Sequence, residues 1–171
     1  MDLQLSNKVA IVTGASRGIG KAIAEMLSVE GMKVALAARS SSDLEVLARS
    51  LPNQSLGQAV DLREPDAANH VVLGTIEKFG KLDLLVNNAG ATKRGDFLTL
   101  TDQEWSDGFA LKFYGAMRLA RAAWPHLQAS QGTIINIIGV GGKAGSAEFT
   151  IGGAVNAALM NLTKALADRG V

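Results

Sequence analysis

A chain of 171 residues is the size of one domain and can bury enough surface to fold without covalent staples. Apolar residues make up 47% and charged residues 19%, which excludes intrinsic disorder. Seventeen basic against 16 acidic side chains leave a net charge of +1, so there is no electrostatic footprint for nucleic acid or an anionic membrane. With no cysteine, disulfides, thiolate nucleophiles and cysteine metal sites are excluded.

The first predicted strand covers residues 8–13, a β-branched run that ends at Gly14. Ile19, Ile23, Ala24, Met26 and Leu27 follow at helical spacing until Gly31. A second strand is predicted over 33–37. The run Ser42-Asp43-Leu44-Glu45 reads as a capping box that opens the next helix. A weaker strand over 55–60 precedes a helix opened by Glu64-Pro65-Asp66. The fourth strand is placed at 82–86. Thr101-Asp102-Gln103-Glu104 is a second capping box, opening a helix that runs to about Leu127 and is bent or ended by Pro125. A fifth strand follows at 133–138. Ile151, Val155, Ala158, Leu159, Leu162 and Leu166 then line one face of a last helix.

Apolar strands alternating with helices imply an α/β fold with a parallel sheet covered on both faces. Right-handed crossovers make it a Rossmann-like doubly wound sheet in three α/β/α layers, with residues 1–171 as one dinucleotide-binding domain. No run approaches the ~18 apolar residues of a membrane span. Residues 1–8 carry no basic stretch leading into a long apolar run, so a cytoplasmic protein without a signal peptide is expected.

The loop Thr13-Gly14-Ala15-Ser16-Arg17-Gly18-Ile19-Gly20 sits between the first strand and the first helix, where a doubly wound sheet binds a dinucleotide. Its spacing is G-x-x-x-G-x-G. Glycine lets the backbone turn tightly and approach a pyrophosphate, and the helix N-terminus offers free amides. A plain tight turn is the other meaning of such a triplet.

With Asp61-Leu62 after the third strand and Asn87-Asn88-Ala89-Gly90 after the fourth, the chain resembles the short-chain dehydrogenase/reductase family over essentially its whole length. The resemblance implies that Asp61 and Leu62 border an adenine. It implies that Asn88, Ala89 and Gly90 line the path of the cofactor ribose, and that Asn87 helps hold the sheet. Gly14, Ser16, Arg17, Gly18, Ile19 and Gly20 complete the expected cofactor-binding set.

Nicotinamide enzymes that use NAD place an acid after the second strand to bind the ribose hydroxyl. Here the sequence is Ala37-Ala38-Arg39-Ser40. Arg39 and Arg17, with no carboxylate, suit a 2′-phosphate held by charge-assisted hydrogen bonds, which predicts NADP(H) over NAD(H). Two solvated arginines are the plainer alternative.

The family's chemistry uses a tyrosine acid/base, a lysine four residues later, a serine after the fifth strand and an asparagine in the preceding helix. The sole tyrosine here is Tyr114, followed four residues on by Arg118. Matching the surrounding motifs puts Gly152 at the tyrosine position, Asn156 at the lysine position, Gly139 at the serine position and Lys112 at the asparagine position. Catalytic residues are therefore unassigned, with Lys112 as the candidate. A desolvated ammonium can stabilise an oxyanion or act as an acid; a solvated or ion-paired helix lysine is the competing reading. Lys143 and Glu148 fall in a loop that the family folds over the site, where they also read as solvated charges, and Thr150 reads as the cap of the last helix.

Two functions follow. One is hydride transfer between NADP(H) and a small carbonyl or alcohol substrate by a non-standard active site. The other is a catalytically inert nucleotide-binding regulatory or scaffold subunit. A ligand-free structural domain is the least favoured. The chain stops at Val171, before two strands and a helical segment that the resemblance leads one to expect, which suggests truncation and an exposed sheet edge. His70 and His126 lack metal-ligand spacing, so no metal is expected. Trp105 and Trp124 read as core packing. The resemblance also implies a homodimer or homotetramer formed through the long helix and the last helix.

Overall fold

A computed structural model describes residues 3–170. Five strands form one parallel sheet: β1 (Val9–Thr13), β2 (Lys33–Ala38), β3 (Ser55–Ala59), β4 (Leu84–Asn87) and β5 (Thr133–Asn136). Their spatial order is β3-β2-β1-β4-β5. The order reverses between β1 and β4, and that switch point is where open α/β sheets hold ligands, at the carboxyl ends of the strands. The register places Ile11 between Ala35 and Leu85, and Leu85 in turn opposite Ile134.

The central strand β1 is buried along its whole length. One face of the sheet carries Ile11, Leu85 and Val9 against helices α3 (Ala67–Phe79) and α5 (Gly115–Ser130), through Val71, Val72, Leu119 and Ala123. The other carries Val12, Val34 and Leu36 against α1 (Gly18–Val29) and α2 (Ser41–Ser50), through Ala24, Leu44 and Leu47. Each fully buried aliphatic side chain contributes roughly 1.5–3 kcal/mol, so this double-sided burial outweighs the weak intrinsic pairing of parallel strands. The outer strand β5 is only half covered, and Ile135 is 44% exposed.

Several local expectations change on contact with the structure. The capping box at Ser42–Glu45 does not form. Helix α2 starts at Ser41, and the Ser40 hydroxyl accepts the Asp43 amide at 3.4 Å. The cap lies two residues earlier because Ser40 takes the extended backbone conformation that a cap requires. The Thr101 capping box does form, with Glu104 returning to the Thr101 amide at 2.9 Å. It opens α4 (Asp102–Phe109), a one-residue-wider π turn follows over Ala110–Tyr114, and α5 begins directly after it. Pro125 neither ends nor breaks α5, because Ala123 and Leu127 on either side are buried and carry the helix on to Ser130. Strands β4 and β5 are shorter than the apolar runs that announce them. Leu82 belongs to the core ahead of β4, and the chain turns away after Asn136.

One side chain joins the two halves of the sheet at its switch point. The Thr13 hydroxyl accepts the amides of Asn88 at 2.9 Å and Ala89 at 3.0 Å, and donates to the Val86 carbonyl at 3.2 Å. Valine has the same shape but no acceptor. Thr13→Val strands two backbone N–H groups, at about 1–3 kcal/mol each. Urea unfolding is expected to show a loss in that range, whereas Thr13→Ser stays near the parent.

Candidate nucleotide and substrate site

The residues singled out for cofactor binding come from four separate stretches, and the fold brings all four to the same edge of the sheet. Gly14, Ser16, Arg17, Gly18, Ile19 and Gly20 follow β1. Arg39 follows β2, Asp61 and Leu62 follow β3, and Asn88, Ala89 and Gly90 follow β4.

The first loop is shaped for a ligand that approaches the backbone. Gly14 and Gly18 have φ of +64° and +58°, the left-handed region that a side chain resists. A Cβ on Gly18 would meet nothing within 4 Å, so that glycine borders open space. Gly20 is required for another reason. A Cβ there would run into the Gly14 carbonyl oxygen and lie 2.5 Å from Asn88 Nδ2, so α1 can approach the loop only as glycine. Asn88 secures the far side by donating to the carbonyls of Thr13 at 2.9 Å and Gly14 at 3.4 Å. The N-terminus of α1 has no side-chain cap, so its amides and positive end stay open to an anion. These features fit the pyrophosphate of a dinucleotide.

Arg17 and Arg39 are exposed, and neither takes part in an ion pair among the described residues. The acid near them is already engaged. Arg63 Nε donates to Asp61 Oδ1 at 3.0 Å and Oδ2 at 3.1 Å, and the Arg63 amide also reaches Oδ1. These hydrogen bonds hold the Asp61 carboxyl below its ordinary range, with the charges of Arg63 and Arg39 adding to the effect. The role of Arg63 is not visible in the sequence motif. Its i+2 spacing from an acid in a loop is the only signal that could have found it. Leu62 is buried against the core, and its carbonyl packs against Gly115.

Beyond the nucleotide cradle lie the positions where a reacting group would stand. Lys112 sits in the π turn, and its aliphatic stem lies against Gly90; a Cβ on Gly90 would be 2.8 Å from Lys112 Cδ. Burial pulls the Lys112 ammonium below the ordinary lysine pKa. It has no carboxylate or hydrogen-bond partner among the described residues, so the ion-paired reading of this lysine is not met.

Asn156 is buried and works as a clasp. Its Oδ1 accepts the Gly139 amide at 2.8 Å, and its Nδ2 donates to the Gly152 carbonyl at 2.7 Å. One side chain therefore ties together three of the positions matched to the family's catalytic set. Gly152 is not an empty place: a Cβ there would strike the Phe149 ring, 2.5 Å from Cε1. Phe149 escaped the sequence reading, because its spacing from Gly152 does not show which way the ring turns. Lys143 and Glu148 are exposed. Thr150 is not the cap of the last helix, α6 (Thr150–Gly170). It is already the first helical residue, and its buried hydroxyl has no partner. Trp105 and Trp124 are half-buried rather than core. Among the described residues no three His, Asp or Glu cluster as a metal site would need, and no helix is long and apolar enough to cross a membrane.

Residues 8–170 match the family model of short chain dehydrogenases. The chain belongs to the short-chain dehydrogenase family. It is 37% identical over 169 residues to the 3-oxoacyl-(acyl-carrier-protein) reductase FabG of Vibrio cholerae, covering 96% of this chain and 68% of that protein. It is 32% identical to the meso-2,3-butanediol dehydrogenase of Serratia marcescens, over 96% of this chain and 66% of that one. The crystal structure of L-sorbose reductase from Gluconobacter frateurii, complexed with NADPH and L-sorbose, superposes with a TM-score of 0.95 at 36% identity, covering 99% of this chain and 66% of that one. A short-chain dehydrogenase from Streptomyces avermitilis gives a TM-score of 0.90 at 36% identity, and this chain spans 60% of it. The short-chain dehydrogenase domain here thus spans about two thirds of the length of such relatives.

Two measurements follow from this geometry. Gly152→Ala drives a methyl into the Phe149 ring and is expected to cost about 1–3 kcal/mol in urea unfolding. In the Phe149→Ala background the same substitution should cost much less, and that coupling identifies the ring as the cause. Lys112→Met should raise Tm at neutral pH, since it removes a half-buried, partly desolvated charge. The lysine's folded pKa lies below its unfolded value, so the penalty is full at neutral and acid pH. It fades as pH rises through the folded pKa towards ~10.4. The gain in Tm should shrink over the same range.

Proposed function

We propose that this chain binds NADP(H) in preference to NAD(H) and acts as an oxidoreductase on a small carbonyl or alcohol compound, through a non-standard active site. The observation that carries this reading is the uncapped α1 N-terminus under the Gly14–Gly18–Gly20 loop, flanked by two exposed, unpaired arginines. A nucleotide phosphate there meets backbone amides at the pyrophosphate and guanidinium groups at the ribose. Asp61 is hydrogen-bonded to Arg63 rather than to Arg39, although the Arg39 charge still acts on it. The NADPH in the sorbose reductase neighbour supports the same choice.

The proposed contacts are Gly14, Ser16, Gly18, Ile19 and Gly20 at the pyrophosphate, and Arg17 and Arg39 at the 2′-phosphate. Asp61 and Leu62 border the adenine, and Asn88, Ala89 and Gly90 line the path of the cofactor ribose. Bound there, the coenzyme supplies or accepts the hydride. Lys112 is the residue that handles the proton. In reduction its ammonium donates to the carbonyl oxygen as the carbon gains hydride; in oxidation the neutral amine takes the proton back. A desolvated ammonium is a stronger acid than a solvated one, which suits this role. Asn156 holds Gly139 and Gly152 in place and transfers no proton. The working form is proposed to be a cytoplasmic homodimer or homotetramer, in line with the aromatic cluster Phe109, Phe113 and Tyr114 beside α5, where Tyr114 is 44% exposed.

Fluorescence titration should show tighter binding of NADPH than NADH, and Arg39→Asp should invert the order. Equal affinities, or tighter NADH, would remove the preference. Turnover of ketones, aldehydes and quinones, followed by nicotinamide absorbance, should fall about 10²-fold or more in Lys112→Ala. Undiminished turnover clears Lys112 of the proton role, and NADPH binding without turnover across the panel favours an inert nucleotide-binding subunit.

A further inference from the structure

Helix α1 is apolar on two faces. Its inner face packs Ile23, Ala24 and Leu27 against the sheet. On the outer face Ile19, Ala22, Met26 and Val29 follow one another at spacings of three and four residues, which places them in one row along the helix. Ile19, Met26 and Val29 are 64%, 61% and 68% exposed. A surface helix needs one apolar face for its own domain, so packing within the chain leaves the outer row unexplained. The charges of α1 are ordered against its dipole. Lys21 stands in the N-terminal half, and Glu25 and Glu30 stand towards the C-terminus. The first turn holds no acid and the last turn no base, although the dipole favours both. Lys21 and Glu25 flank the row on one side, as an exposed pair 3.8 Å apart that contributes little within the chain.

We propose that the outer row of α1 is an interface between two copies of this chain, with the two helices antiparallel about a two-fold axis. The row is its own complement in that orientation. Ala22 lies against Met26 of the partner subunit, and Ile19 against Val29 of the partner subunit. Lys21 faces Glu25 of the partner subunit, and the axis repeats that pair on the other half. The antiparallel dipoles then set each basic end beside an acidic one, which offsets the unfavourable order within a single helix. A parallel arrangement would put like charges together. The row points away from the sheet, whereas the nucleotide is proposed at the end of the helix axis. The contact is also separate from the aromatic surface beside α5, because α1 and α5 cover opposite faces of the sheet.

Sedimentation equilibrium of the full chain at micromolar concentration should give a mass that Met26→Glu halves, with an unchanged far-UV circular dichroism spectrum. Lys21→Glu alone and Glu25→Lys alone should each weaken self-association about tenfold, because like charges then meet across the axis. Mixed in equal amounts, the two variants should associate again, since every acid once more faces a base. These charge variants carry the test if Met26→Glu does not fold. The chain has no cysteine, so single cysteines report the register cleanly. A mixture of Ala22→Cys and Met26→Cys should be joined by a short bismaleimide in higher yield than either variant alone. A mass that Met26→Glu leaves unchanged, no recovery on mixing the charge variants, or no excess of the mixed cross-link overturns the proposal.

Discussion

The site depends on one hydroxyl group. Thr13 ends the central strand, and its oxygen collects the amides of Asn88 and Ala89 from the strand next door. Asn88 answers through its side chain, reaching the carbonyls of Thr13 and Gly14. Four short contacts therefore fix the glycine loop to the end of β4. Without them the loop amides would not share one orientation, and an anion would gain little from them. The close approach of Gly20 to Gly14 is possible only because position 20 carries no Cβ. Packing of Val12 and Val86 in the same cluster places the two strand ends within reach of each other.

From that anchor the sheet edge divides into a cradle of backbone and an end, at the positions matched to the family's catalytic set, where side chains meet. The cradle needs backbone, and backbone geometry is set by glycine and the switch in strand order. The chemical end needs side chains. There the chain uses Asn156 as a hydrogen-bonding tie and Phe149 as a filler. Neither choice is isolated. The Asn156 amide satisfies the Gly139 N–H, which would be costly to leave unmet, and adds a second bond to the Gly152 carbonyl within α6. The ring in turn explains why position 152 is glycine. A third tie runs alongside, from Asn87 to Asn136 at 2.9 Å and from Asn136 to Thr163 at 2.9 Å, joining β4, β5 and α6.

How much of this could be read from the sequence depends on how local the cause is. The strand-helix alternation, the glycine loop and the Thr101 cap were legible because neighbours in the chain decide them. The Ser40 cap was misplaced by two residues, since serines at 40, 41 and 42 offer equivalent oxygens and only the backbone turn selects among them. Thr150 looked like a cap for the same reason, yet its hydroxyl is buried and unpartnered. The continuation of α5 through Pro125 was decided by burial on both sides of the proline, which is a tertiary effect. Phe149 was illegible as a partner of Gly152 because a three-residue separation at a helix start does not reveal which way a ring turns. The contact of Arg94 with the Phe149 ring spans 55 positions and leaves no local trace.

The position of Lys112 draws these strands of argument together. A lysine in an ordinary surface turn would reach water and keep its usual acidity. The π turn over Ala110–Tyr114 widens the helix at this residue, and Gly90 supplies a surface without a side chain for the stem to lie on. If position 90 carried even a methyl group, the stem would be displaced, since the added carbon would fall 2.8 Å from Cδ. The absence of a Cβ at Gly90 thus lets the Lys112 stem lie against the end of β4, with the ammonium in a partly desolvated place. A charge held there without a carboxylate partner destabilises the fold. Under the proposed proton role, that cost is offset where a neighbouring oxygen gains negative charge during reaction.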